Sequence, residues 1–225
     1  MNGYTPAPMR KKAILFDMDG TLLDTLEDLA DSMNAVLSSR GYPAHPLASY
    51  RYFVGDGVGE LVRRALPAGV ASDEKVVRAC TEGMRVEYDR RWHDKTRLYD
   101  GIAELLDALV GAGVRLTVLS NKPDPFVQVI LQHFFAAWQF AAALGARPSV
   151  PRKPDPAAAL EIGRLLGVTP ADFLYLGDTN TDMQTARSAG MVPVGALWGF
   201  RTKQELLEAG AVAVVSHPME VMHLV

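Results

Sequence analysis

The sequence predicts an α/β protein: a doubly wound parallel sheet with a helical lobe inserted directly after its first strand. Three observations carry this. From Ile102 onward, short apolar runs alternate with helical stretches, the pattern of parallel strands joined by right-handed crossovers. A further apolar run, Ala13, Ile14, Leu15 and Phe16, lies near the start and stops abruptly at Asp17-Met18-Asp19. Between that run and the next strand lie residues 24–97, far more than a crossover needs, and they contain no convincing strand.

Taken in order, residues 1–12 carry Pro6 and Pro8 and no apolar stretch, so they read as a loose tail rather than a signal peptide. Residues 13–16 form a buried strand, after which Gly20 and Thr21 turn the backbone. Leu26, Leu29, Ala30, Met33 and Leu37 then stripe one helix face, which Arg40-Gly41 closes. Residues 59–66 and 73–91 read as further helices, giving a lobe over 23–97 and a core over 1–22 and 98–225. Ile102, Leu105, Leu106, Leu109 and Val110 recur at helical spacing up to Gly111 or Gly113. A strand follows over 114–119. Asp155 and Pro156 supply an N-cap and a first-turn proline for a helix over 157–166. Strands are predicted over 173–176, ending at Gly177-Asp178, and over 192–194 and 212–215.

A net charge of −3 with no Lys/Arg block leaves no basic footprint for nucleic acid. One cysteine, Cys80, excludes an intramolecular disulfide framework and suits a reducing compartment. No run is long enough to span a bilayer. The expectation is a cytoplasmic protein, monomer or homodimer, with neither nucleic acid nor membrane as a partner.

Side chains alternate along a strand, so Asp17 and Asp19 share a face where the first strand ends. Two acids that close repel unless a cation sits between them or one keeps a proton. Three other segments fall at the carboxyl ends of predicted strands or just beyond: Ser120-Asn121-Lys122, Arg152-Lys153-Pro154 and Asp178 to Asp182. Singly each has a plain reading. Ser120 could cap a strand, Lys153 could be a solvated loop residue, and Thr181 and Asp182 could merely start a helix. Together they offer carboxylates for Mg²⁺ and a hydroxyl and a lysine for a phosphoryl group. Positioning and charge neutralisation are most of what phosphoryl transfer needs.

That set, in this order, resembles the haloacid dehalogenase superfamily of phosphatases. Asp17-Met18-Asp19-Gly20-Thr21 is similar to its first motif, Ser120-Asn121-Lys122 to the second, Lys153-Pro154 to the third, and Gly177 to Asp182 to the fourth. The resemblance spans roughly residues 12–215, and the inserted lobe looks like the family's cap. It implies that Asp17 is the nucleophile of an aspartyl-phosphate mechanism and Asp19 the acid/base. It implies Mg²⁺ held by Asp17, the backbone carbonyl of Asp19, and Asp178. Ser120, Asn121 and Lys153 would bind the phosphoryl group, with Thr21 and Asp182 in support.

Within the superfamily, Asp19 sets the chain apart from the dehalogenases and Thr21 from the sugar phosphomutases. Residues 120–127 and 53–66 are most similar to the phosphoglycolate phosphatase subfamily. The chain departs from it at Leu98-Tyr99-Asp100-Gly101, and again at residues 143–150, which replace a more acidic, Gly-rich loop. The implied substrate is a small phosphorylated metabolite, 2-phosphoglycolate. Backbone N–H groups at Gly55 and Gly57, and Arg51, Arg63 or Arg64, are the expected readers of its carboxylate. The alternatives are a pyrophosphatase, a sugar-phosphate or nucleotide phosphatase, and a phosphomutase. A non-catalytic phospho-Asp receiver fails on length, on the insertion, and on the strand that bears the acid pair.

Overall fold

The computed structural model describes residues 11–225, so the first ten residues of the proline-containing tail lie outside it. Strand β1 (Ala13–Phe16) is fully buried, with Ile14 and Phe16 facing one side of the sheet and Ala13 and Leu15 the other. Four consecutive apolar residues are what a central strand covered on both faces requires.

After β1 the chain passes through β2 (Leu23–Asp24) into four helices: α1 (Leu26–Ser39), α2 (Leu47–Phe53), α3 (Val58–Ala65) and α4 (Glu74–Arg91). It returns as β3 (Arg97–Leu98), antiparallel to β2, with Leu23 opposite Leu98 and Asp24 opposite Arg97. This ribbon corrects the expectation that residues 24–97 hold no strand. Two-residue strands show no alternation to read. Asp28 of α1 fastens the return by accepting the Lys95 and Thr96 N–H groups and the Thr96 hydroxyl. The helices have a core of their own, in which Leu29, Met33 and Leu37 meet Tyr50, Leu61 and Met84. Cys80 is buried there, and burial pushes its thiol up, away from reactivity.

The rest of the chain runs α5 (Ile102–Gly111), β4 (Arg115–Pro123), α6 (Asp124–Phe134), β5 (Ala142–Ala146), α7 (Ala157–Leu166), β6 (Phe173–Gly177), α8 (Asn180–Ala189), β7 (Val192–Ala196), α9 (Lys203–Glu208) and β8 (Ala213–Val215). Among the described residues the main sheet has the order β5-β4-β1-β6-β7-β8, and all its pairs are parallel. Helices α5 and α6 cover the Ile14 and Phe16 face, and α7 and α8 cover the other. Strand β5 corrects the loop expected there. Ala-Ala-Leu-Gly-Ala has low strand propensity, and an edge position tolerates it. Gly145 is dictated by contact, because a Cβ there would stand 2.5 Å from the Asp124 Cα. Helix α7 has the expected range, but Pro156 rather than Asp155 stands at its N-cap, with Asp155 accepting the Ala157 N–H at 2.9 Å.

The chain leaves β1 towards β4 on one side and later returns to β6 on the other. The carboxyl ends of β4, β1 and β6 therefore flank a topological switch point, where open α/β sheets bind ligands. No helix among the described residues is long and apolar enough to cross a membrane.

Candidate active site

Asp17 closes β1 and is 6% exposed. The Lys153 ammonium lies 2.8 Å from its Oδ1 and 2.7 Å from the Asp182 Oδ1. Asp182 also accepts the Tyr175 hydroxyl and both the N–H and the hydroxyl of Thr179, the capping box that starts α8. Asp178, just past β6, accepts the Thr21 hydroxyl at one oxygen and the Phe200 N–H at the other, each at 2.8 Å. Gly20 makes this approach possible. Its φ is 82°, and a Cβ would stand 2.3 Å from an Asp178 oxygen.

Burial raises the Asp17 carboxyl well above its ordinary value, and the Asp182 and Asp178 charges add to it. One ammonium, even at 2.8 Å, does not offset three acids in so buried a site. Burial likewise pushes Asp178 up to about 7, with the Asp182 charge next, against the hydrogen bonds from Phe200 and Thr21. For Lys153 burial acts downward, yet Asp17 and Asp182 pull it well above the ordinary lysine range. The site is short of positive charge.

The residues fit a divalent cation. Asp17, Asp178 and Asp182 can each direct an oxygen so that all three lie within 4.8 Å of one another. The Asp182 carboxylate already accepts from Lys153, Tyr175 and Thr179, so it serves Lys153 better than a metal. Asp17 and Asp178, raised by burial and oxygen-rich, are the better Mg²⁺ ligands.

The Asp19 side chain turns away from this group. It accepts the Thr25 hydroxyl at 2.6 Å and pairs with Lys122 at 3.1 Å. Thr25 stands at the N-cap of α1, but its hydroxyl serves Asp19 and makes no cap bond. Lys122 in turn donates to the Tyr88 hydroxyl of α4 at 2.9 Å. Thr25 and Tyr88 are additions to the expected site, and Lys122, expected only as a member of the second motif, acquires a contact of its own. Lys122 was discoverable, because it lies two residues beyond Ser120 at the same strand end; Tyr88 on a distant helix carried no signal.

Ser120 borders the cavity beside Asp17 and Asp19. Asn121 also reaches its wall, but both ends of its amide are taken. It donates to the carbonyls of Gly55 and Lys153 and accepts the Lys153 N–H. Its side chain holds the Lys153 loop and is not free for a substrate.

The cavity between strand ends and helices has a volume of about 230 Å³. Its far walls are Leu29, Val54, Val58, Leu61, Met84 and Phe126, and Gly55 and Gly57 border it. The expected arginines do not. Arg63 grips both oxygens of Glu74, and Arg64 pairs with Asp56. Arg51 donates to the carbonyls of Gly199 and Phe200, while Arg201 reaches back to those of Arg51 and Val54. These side chains dock the helices or brace them. The arginine that borders the cavity is Arg85.

Comparison with known proteins agrees with this geometry. The profile of the haloacid dehalogenase-like hydrolases matches residues 14–196. The chain belongs to that family. It is 34% identical over 191 residues to phosphoglycolate phosphatase of Pseudomonas putida KT2440, covering 84% of this chain and 70% of the relative. The phosphoglycolate phosphatase of Psychrobacter arcticus is 33% identical over 205 residues, 88% of each chain. A crystallised protein from Lactobacillus delbrueckii subsp. bulgaricus, provisionally named phosphoglycolate phosphatase, superposes with a TM-score of 0.90 at 32% identity, covering 96% of this chain and 98% of its own. In this hydrolase family the helical lobe is the cap.

Proposed function

We propose that this phosphoric monoester hydrolase converts 2-phosphoglycolate to glycolate and phosphate through an aspartyl phosphate. An Asp17 oxygen attacks phosphorus, and the bond to the ester oxygen breaks. Asp19 gives its proton to that leaving oxygen. It then takes a proton from water, whose oxygen attacks the acyl phosphate, releasing phosphate and restoring the Asp17 carboxylate. Lys153, fixed by Asp182, and Ser120 hold the transferring group. Mg²⁺ bound by Asp17 and Asp178, with the Asp19 carbonyl, would neutralise charge on the phosphoryl oxygens.

The observation that carries the choice of substrate is the apolar wall opposite the acids. Hydrocarbon side chains offer no hydrogen bonds to the hydroxyls of a sugar, and burying unpaired hydroxyls is costly. A two-carbon leaving group brings no sugar hydroxyls, and for its single carboxylate the lining holds two cations, Lys122 and Arg85; the names of the relatives support the same substrate. The test is initial rates with Mg²⁺ on 2-phosphoglycolate, phosphoserine, pyrophosphate and a hexose phosphate. The expected result is the highest kcat/KM for 2-phosphoglycolate; equal or better turnover of any other ester overturns the substrate assignment while leaving the hydrolase chemistry in place.

A further inference from the structure

If the substrate is 2-phosphoglycolate, its carboxylate needs a cation in a cavity lined mostly by hydrocarbon and by the acids Asp17, Asp19 and Asp89, because an unpaired anion there loses its hydration without return. Two cationic side chains border the cavity, Lys122 and Arg85. Arg85 is 57% exposed and paired with Glu82 at 3.3 Å, so water already satisfies it. Lys122 is 9% exposed and comes from the core, two residues beyond Ser120 on the same strand. An ammonium has three N–H donors. Two are matched, to Asp19 at 3.1 Å and to the Tyr88 hydroxyl at 2.9 Å. Among the described residues no hydrogen-bond acceptor is recorded for the third.

We infer that Lys122 is the specificity-determining residue that binds the carboxylate of the leaving group. The inference rests on the substrate proposed above. Asp19 protonates the ester oxygen, so the atoms attached to that oxygen lie beside Asp19, and Lys122 is the buried cation in contact with Asp19. In 2-phosphoglycolate one methylene separates the ester oxygen from the carboxylate, so the carboxylate falls near the same Asp19 side chain that Lys122 contacts at 3.1 Å. The same ammonium donates to Tyr88 of the cap, so the carboxylate would dock where the two parts of the molecule meet. The cap arginines of residues 51, 63 and 64 have no part in it, since all three are committed elsewhere.

The test compares 2-phosphoglycolate with ethyl phosphate, which has nearly the same chain and no carboxylate. Wild type is expected to prefer 2-phosphoglycolate. Lys122→Met should cut the ratio of the two kcat/KM values about 10- to 100-fold, the worth of one hydrogen bond to a charged group. Lys122→Gln, which keeps hydrogen bonding but no charge, should lose it too, and Lys122→Arg should keep most of it. Arg85→Met should change the ratio by no more than about fivefold, the ceiling for an exposed ion pair. Inhibition by inorganic phosphate, measured for each variant, shows whether the phosphoryl site is intact. A wild-type enzyme with no preference overturns the substrate reading and this inference together. A preference that persists in Lys122→Met and Lys122→Gln, or one lost in Arg85→Met, overturns the inference alone.

Discussion

On the core side of the cavity, Asp17, Lys153 and Asp182 stand in contact at 2.8 and 2.7 Å, and Asp178 is held by two hydrogen bonds. Across the gap the cap presents Val58, Leu61 and Met84, which have no polar side-chain atom to offer beyond a thioether sulfur, with Arg85, Tyr88 and Asp89 of α4 as its polar lining. One side is built from crowded charges at strand ends, the other mostly from hydrocarbon on helices with a separate core. The contrast separates two tasks. On the proposed function, the core fixes which bond is broken, and the cap limits what is attached to it. Lys122, reaching from core to Tyr88, is where the two tasks touch.

The strongest way to break this division is Asp17→Asn. Turnover should fall by about 10⁴-fold or more, as when an enzyme loses its nucleophile. The fold should survive and the metal-free protein should gain thermal stability, because an amide removes one of the crowded buried acids. Circular dichroism and melting curves alongside kinetics check both halves, and a variant that keeps a tenth of the wild-type rate removes Asp17 from its role.

Asp19→Asn should lower kcat about 10²- to 10⁴-fold, the usual contribution of a general acid–base group. Esters with good leaving groups should suffer least, because they need no proton. Equal losses on ethyl phosphate and p-nitrophenyl phosphate would place Asp19 outside proton transfer.

Metal removal sharpens the comparison on the core side. EDTA should abolish turnover. Burial, with the Asp182 charge next, pushes Asp178 from its ordinary 3.8 up to about 7, so between those values the folded metal-free protein holds a proton there that the unfolded chain lacks. Stability of the metal-free protein should therefore fall as pH rises through that window. Mg²⁺ has to displace the same proton, so its affinity should climb with pH and level off above about 7. Melting temperatures with and without Mg²⁺ across the window test this, and a shift independent of pH would contradict it.

The smallest effect is expected at Arg63→Ala. Its guanidinium grips Glu74 away from the cavity, so neither the substrate ratio nor KM should move. A selective loss with 2-phosphoglycolate would restore Arg63 as the carboxylate reader.

What the sequence made legible follows the same division. Strands β1, β4 and β6 are apolar runs that stop at polar residues, so the gathering of Asp17, Ser120 and Asp178 at one edge of the sheet could be anticipated. Strand β5 could not, because Ala142 to Ala146 lack the β-branched residues that mark a strand. The cap was harder still. Helical periodicity identifies α1 and α4, but it gives no relative rotation of helices, and so Arg63 was as good a candidate for the cavity as Arg85. Contacts between residues far apart in sequence, such as Lys122 with Tyr88, leave no local trace.

The docking of cap on core has a consequence for how such a molecule can change over generations. Arg51 and Arg201 reach across the joint to main-chain carbonyls, and Asn121 does the same at Gly55. Each of these grips an atom that every amino acid possesses. Side chains such as Val58 and Met84 can be exchanged without touching those grips, so the seat is preserved while the shape above it is rewritten. New leaving groups can be explored one wall residue at a time, with the hydrolytic machinery left as it stands.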